Sequence, residues 1–200
     1  MTVTDVNVVK SAIFERPDDA NKGTLGSLLC VCGSYGMAGA AVMSAKGALR
    51  TGIGLAKCAL PRSVYPIVAQ TILESVYYPL SENADGRISK VNVPFLVSES
   101  CKSSATLVGC GLGVCDDTLK IVFSFIENST TPLVLDADAL NCVAKQPEIL
   151  LRKKAPIIIT PHPGEMSRLT GLATPLVNAE RERVALDFAQ KYGVVTVLKG

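Results

Sequence analysis

The chain has no CxxC pair, no block of like charge, no apolar run approaching the length of a membrane span, and only one histidine, His162. Seven scattered cysteines, an odd number with no CxxC spacing, do not describe a zinc site or a disulfide framework. Cys30 and Cys32 stand two apart in an apolar run, which places them on one face of a strand as buried thiols. Basic and acidic residues nearly balance, 20 against 18, which argues against a nucleic-acid surface or a membrane patch. The N-terminal stretch MTVTDVNVVKSAIFERPDD lacks the basic and then apolar order of a signal peptide. The chain therefore reads as cytoplasmic. Linkers, low-complexity segments and internal repeats are also missing, so residues 1–200 read as one domain.

What is there is apolar and punctuated. Hydrophobic residues make up 48% of the chain, enough for a large core. The strand candidates are the short apolar runs Ser27–Cys32, Gly54–Ala59, Ser75–Tyr78, Ala105–Val108, Leu133–Leu135, Pro156–Thr160 and Val194–Leu198; several are apolar throughout, without polar alternation, as strands covered on both faces are. The segments between them read as helices. After Asp116 and Asp117, which can cap a helix start, Leu119, Val122, Phe123 and Ile126 fall at helical spacing, as do Val184, Ala185, Phe188 and Ala189 later. Buried strands alternating with helices predict a three-layer α/β/α sandwich on a mainly parallel sheet.

Such sheets bind ligands beyond the carboxyl ends of their strands, and four loops stand there. Gly33-Ser34-Tyr35-Gly36-Met37-Ala38-Gly39-Ala40-Ala41 joins the first strand to a helix. It offers backbone donors to an anion, or makes a tight turn; it is neither a Walker loop nor a clean GxGxxG. Val108-Gly109-Cys110-Gly111-Leu112-Gly113 suits either a sharp turn or a loop that hugs a substrate. In Leu135-Asp136-Ala137-Asp138-Ala139-Leu140-Asn141 the two carboxylates point to opposite sides of an extended chain. Asp136 is a candidate for a substrate hydroxyl or Mg²⁺-bound water, while Asp138 either caps the next helix or shares that role. Finally, Thr160-Pro161-His162-Pro163-Gly164-Glu165 sets the histidine between prolines on a stiff loop, outside a helix interior and towards a ligand.

Taken in order, Lys22-Gly23-Thr24, GSYGMAGAA, GCGLG, LDADALN, TPHPGEMSRLTG and the closing Val195–Gly200 resemble the ADP- or ATP-dependent NAD(P)H-hydrate dehydratases. The resemblance runs from about Asn21 onward. It implies a ribokinase-like fold that uses ADP or ATP with Mg²⁺ to phosphorylate the added hydroxyl of hydrated NADH or NADPH. Loss of phosphate then restores the dihydronicotinamide. It also implies that Ala41, Gly111 and His162 contact the hydrated dinucleotide. Lys199 and Gly200 then begin a nucleotide-binding KGxxT segment. A homo-oligomer and coupling to an NAD(P)H-hydrate epimerase are implied with them.

The family's GTGD loop, which carries its catalytic aspartate, would lie beyond Gly200. The resemblance therefore names no catalytic base here, and it implies an incomplete C-terminal part and 200 residues inactive on their own. No metal-ligand set is assigned. Two other readings stand beside this one: a ribokinase-like kinase acting on a sugar or hydroxymethylpyrimidine, and a non-catalytic dinucleotide-binding fragment.

Overall fold

Ile157–Ile159 is three β-branched residues in a row, the outer two buried and the middle one half-buried. Such side chains are stiff in χ1 and fit a pleated surface covered on both sides. Similar runs form the rest of the sheet in a computed structural model of the protein, which describes Val6, Asn7 and residues 17–200. Most of the N-terminal stretch read above for a targeting signal lies outside the described residues.

Seven strands follow the predicted order: β1 (Ser27–Val31), β2 (Leu55–Pro61), β3 (Val76–Leu80), β4 (Ala105–Val108), β5 (Leu133–Leu135), β6 (Ile157–Ile159) and β7 (Val195–Thr196). They pair in parallel throughout, in the order β3-β2-β1-β4-β5-β6-β7. Among the described residues the α-helices that connect them are α1 (Ala38–Arg50), α2 (Tyr65–Thr71), α3 (Val93–Cys101), α4 (Asp116–Asn128), α5 (Asp138–Val143), α6 (Pro163–Thr170), α7 (Thr174–Ala179) and α8 (Arg181–Tyr192). Strand β2 runs two residues further than its sequence signal, to Pro61. Strand β7 is shorter, yet Val197 and Lys199 still donate backbone N–H bonds to Ile159 and Pro161.

The period of two along β1 sorts the core. Leu29 and Val31 join one apolar cluster with Leu96 of α3 and Ile121, Val122 and Phe125 of α4. Cys30 and Cys32 face the other way, into a cluster with Ala41 and Ala45 of α1 and Val68 of α2. Helices on both faces make the sandwich three layers, as the apolar runs predict. The paired thiols are buried core residues, and burial pushes the Cys30 thiol well up. Each large apolar side chain so buried contributes about 1.5–3 kcal/mol.

Helix α4 buries Thr118, Ile121, Val122 and Phe125, with Leu119 and Phe123 half-buried beside that stripe. Its cap is not an aspartate. Cys115 is the N-cap, and Asp116 and Asp117 occupy the first turn, where negative charge meets the positive end of the helix dipole.

The strand order reverses between β1 and β4. From β1 the chain winds outward through β2 to β3, then crosses back to β4 on the other side. A reversal of this kind opens a crevice at the carboxyl ends of the two strands.

Candidate functional site

The β1 and β4 loops meet at that crevice. Gly33 N–H donates to Cys110 O at 2.8 Å, and Ser34 Oγ donates to Gly111 O at 2.8 Å. Gly111 has φ +65°, and a Cβ there would lie 2.6 Å from Ala40 Cβ and 3.1 Å from Met37 Cβ. Its missing side chain therefore lets the loop close on the start of α1. Gly109 is more constrained: at φ +123°, a Cβ would stand 1.9 Å from Asp136 O. Only glycine allows the β4 and β5 loops to pass this closely.

The β5 loop is pinned to β4 by Asp136 N–H to Val108 O at 3.1 Å and Asp138 N–H to Gly109 O at 3.3 Å. Between the aspartates sits Ala137, with φ 51° and ψ −115°, the one non-glycine residue with positive φ among those described. Strain of this kind persists only where surrounding contacts enforce it. The kink ends the extended geometry on which the opposite-sides reading rests. Nor does Asp138 cap α5, whose first residue it is and whose N-cap is Ala137. Instead Asp138 Oδ2 accepts the Gly113 N–H at 2.8 Å, and its Oδ1 accepts from Asn141 Nδ2 at 3.3 Å. Its role is to tie the β4 loop to α5.

Asp136 gathers three strand ends. Its Oδ1 accepts from Thr160 Oγ1 after β6 and from Lys199 Nζ after β7, both at 2.7 Å, while Cys110 Sγ lies 3.6 Å from Oδ2. Partial burial alone would raise its pKa; the hydrogen bond from Lys199, that from Thr160 and the ammonium charge outweigh this and hold the carboxyl below the usual range. The Cys110 thiol is itself held low, chiefly by a hydrogen bond from the buried Cys32 thiol, against the opposing effect of burial.

His162 follows β6 and is the N-cap of α6. Pro163 takes the first helical position, where its fixed φ and absent N–H are tolerated. The ring Nδ1 accepts the Gly164 N–H at 3.0 Å, and the His162 backbone N–H donates to Glu165 Oε2 at 2.9 Å. The ring remains half exposed, whereas the Glu165 side chain is 6% exposed.

The structure thus puts Gly111, Asp136, His162 and Lys199 on one edge of the sheet. Ala41 is buried behind the β1 loop: it is 2% exposed and packs in the α1 cluster, its Cβ 3.0 Å from where a Cβ on Gly33 would stand. Gly200 has φ +101° and lies close to Pro163. Sequence reasoning did not single out Ser34, Cys110, Thr160 or Glu165. Their partners, apart from the His162–Glu165 pair, are far away in sequence. The H-x-x-E spacing of that pair is the one local signal, an uncommon form of the capping box. A cleft of about 510 Å³ beside Asp138 is lined by Val114, Asn141, Ala144, Lys145 and Arg168. A smaller cavity of about 230 Å³, between α6 and α8, is lined by none of these loop residues.

Residues 28–200 match the family model described as NAD(P)H-hydrate dehydratase. The chain belongs to this family. A bifunctional NAD(P)H-hydrate repair enzyme of Thermofilum pendens is 37% identical over 185 residues, covering 92% of this chain and 35% of that protein. The crystal structure of an ADP/ATP-dependent NAD(P)H-hydrate dehydratase from Bacillus subtilis, co-crystallised with ATP and Mg²⁺, superimposes with a TM-score of 0.80 at 30% identity. That match covers 97% of this chain and 65% of the other. A ribokinase-like superfamily protein from Enterococcus faecalis, 21% identical, shares the fold with a TM-score of 0.74 over 94% of this chain and 62% of its own. The fold is ribokinase-like, as the resemblance implies. The chain spans about a third of the length of the bifunctional NAD(P)H-hydrate repair enzymes it matches.

Proposed function

We propose that this chain carries the substrate-binding side of an ADP/ATP-dependent dehydratase that repairs hydrated NADH or NADPH. One observation carries the reading: in a chain of this family, the β1, β4, β5, β6 and β7 loops are bonded into a single edge around Asp136, with His162 standing on the β6 loop. The added hydroxyl is phosphorylated at the expense of ADP or ATP, and departure of phosphate restores the dihydronicotinamide. Phosphoryl transfer of this kind depends on positioning and on charge stabilisation.

In this reading Gly111, His162 and Asp136 border the hydrated dinucleotide, with Ala41 supporting the β1 loop from behind. Lys199 and Gly200 face the nucleotide. Asp136 holds the Lys199 ammonium at the strand ends, where it offers donors to phosphate oxygens. No three His, Cys, Asp or Glu side chains converge on a cation position among the described residues. The Asp136 carboxylate at these strand ends is the side chain that would meet the water of a Mg²⁺ carried by nucleotide phosphates. Bound there, the ion would supply neutralisation of phosphate charge. No helix among the described residues is long and apolar enough to cross a membrane. A cytoplasmic, homo-oligomeric enzyme acting with an epimerase activity completes the proposal, with the described sheet as a single domain.

Assayed on a protein that carries the family's GTGD loop together with these 200 residues, the test is recovery of dihydronicotinamide absorbance from hydrated NADPH, with and without ADP or ATP. Nucleotide-dependent recovery supports the reading. A stable phosphorylated product with no recovery would instead make the protein a kinase of the same fold.

A further inference from the structure

Glu165 is a carboxylate with an unusual placement: nearly fully buried, and with both of its oxygens facing His162. One oxygen, Oε2, accepts the His162 backbone N–H at 2.9 Å. The other, Oε1, lies 3.4 Å from His162 Nε2. The opposite ring nitrogen is also committed, because Nδ1 accepts the Gly164 N–H at 3.0 Å. A backbone N–H can only donate, so Nδ1 must keep its lone pair and a neutral ring carries its proton on Nε2, towards Glu165. The ring is pressed from below as well, since a Cβ on Gly164 would stand 2.9 Å from His162 Cε1.

We propose that Glu165 is a positioning residue for His162: with Gly164 it fixes the imidazole in its Nε2–H tautomer and turns the ring's exposed face and C–H edge, not a nitrogen, towards the dinucleotide. The contact with the dinucleotide rests on the function proposed above; the tautomer and ring orientation do not. His162 then recognises substrate by shape and stacking and neither gives nor takes the proton of the reaction. Both nitrogens already have partners inside α6.

His162 is the sole histidine, so long-range ¹H–¹⁵N spectra report its tautomer without assignment. In the wild-type protein, at a pH where the ring is neutral, Nε2 is expected at a pyrrole-like shift and Nδ1 at a pyridine-like one. Glu165→Gln separates the two duties. Its amide oxygen can still accept the backbone N–H and keep the cap. Its NH₂ would face Nε2 and demand a lone pair that the neutral ring cannot supply alongside the one Gly164 requires. The tautomer pattern should therefore change and, in a protein that also carries the family's GTGD loop, the KM for hydrated NADPH should rise about tenfold with kcat changing less.

Gly164→Ala supplies an independent arm. It keeps the carboxylate and suits a helix, yet displaces the ring, so the His162 shifts should move there too. A wild-type nitrogen pattern in Glu165→Gln, or wild-type ring shifts in Gly164→Ala, would overturn the proposal. If both variants shift while hydrated NADPH leaves the His162 ring resonances of the wild type untouched, the positioning role stands. The proposed substrate contact is then what fails.

Discussion

Lys199 Nζ and Asp136 Oδ1 lie 2.7 Å apart, an ion pair that reaches from the end of β7 to the end of β5 across the strand between them. Thr160, at the end of that middle strand, donates to the same oxygen. Three loops are tied at one atom.

The pair should make stability depend on acid. The Asp136 carboxyl is held below its ordinary range, so its contribution is present above the unfolded carboxylate pKa of about 3.9 and is lost as pH falls through the lower folded value. The partners are part-exposed, at 43% and 23%, so solvent screening limits the effect. Lys199→Met should cost about 1 kcal/mol at pH 7 and progressively less below about pH 4. Urea unfolding at neutral and acid pH measures this. An equal penalty at both would mean the ion pair contributes nothing.

His162 has two duties that substitution can divide. His162→Ala removes the ring that accepts the Gly164 N–H, so it should lower stability by about 1 kcal/mol as well as weaken dinucleotide binding. Asparagine is a favoured N-cap, so His162→Asn should recover most of the stability and none of the binding. Thermal unfolding alongside a binding titration decides it. Loss of stability alone, with binding intact in both variants, would leave the residue a cap and nothing more.

Ala137 stores strain between the two aspartates. Its φ of 51° with ψ −115° is ground that glycine occupies freely and alanine does not. Ala137→Gly should raise stability by about 1 kcal/mol despite the greater freedom glycine gives the unfolded chain. It should also loosen the Asp136 and Asp138 side chains, reducing turnover. A destabilised variant in urea would show that the conformation is not strained.

The thiols should react in an order set by exposure. Cys101 is exposed, and hydrogen bonds to Thr130 hold its thiol low. Burial pushes the Cys142 thiol up to about 11 and raises Cys58 as well. Since the thiolate is the nucleophile, limited iodoacetamide treatment at neutral pH should label Cys101 well ahead of Cys58 and Cys142. Peptide mass mapping reads the order, and early labelling of Cys142 would contradict the burial of α5.

Much of this architecture is legible in the sequence because the central strands are buried on both faces and so appear as apolar runs. The loops after β1, β4 and β6 are legible for a related reason, since glycines and prolines cluster where the chain must turn, and the β5 loop by its two closely spaced carboxylates. What was not legible depends on partners distant along the chain. Nothing near Asp138 says that its carboxylate will bind the Gly113 N–H rather than cap α5, because the bend at Ala137 comes from the packing of the β4 loop. Nothing near Gly111 announces Ala40. Even the α4 stripe sits slightly off its predicted axis, since the sheet and α5, not the helix's own apolar count, decide which side turns inward.

The reversal of strand order between β1 and β4 also sets when the site can come into being. Ser34 and Gly111, which close the crevice, stand 77 residues apart, and β2 and β3 are made before β4 emerges from the ribosome. Strands β1 to β3 can pair with one another first, through shorter loops. The β1–β4 union must meet a larger closure entropy before its contacts reward it. During synthesis, then, the β1 loop waits without its partner through most of the first hundred residues, and ligand recognition arrives as a late event of folding.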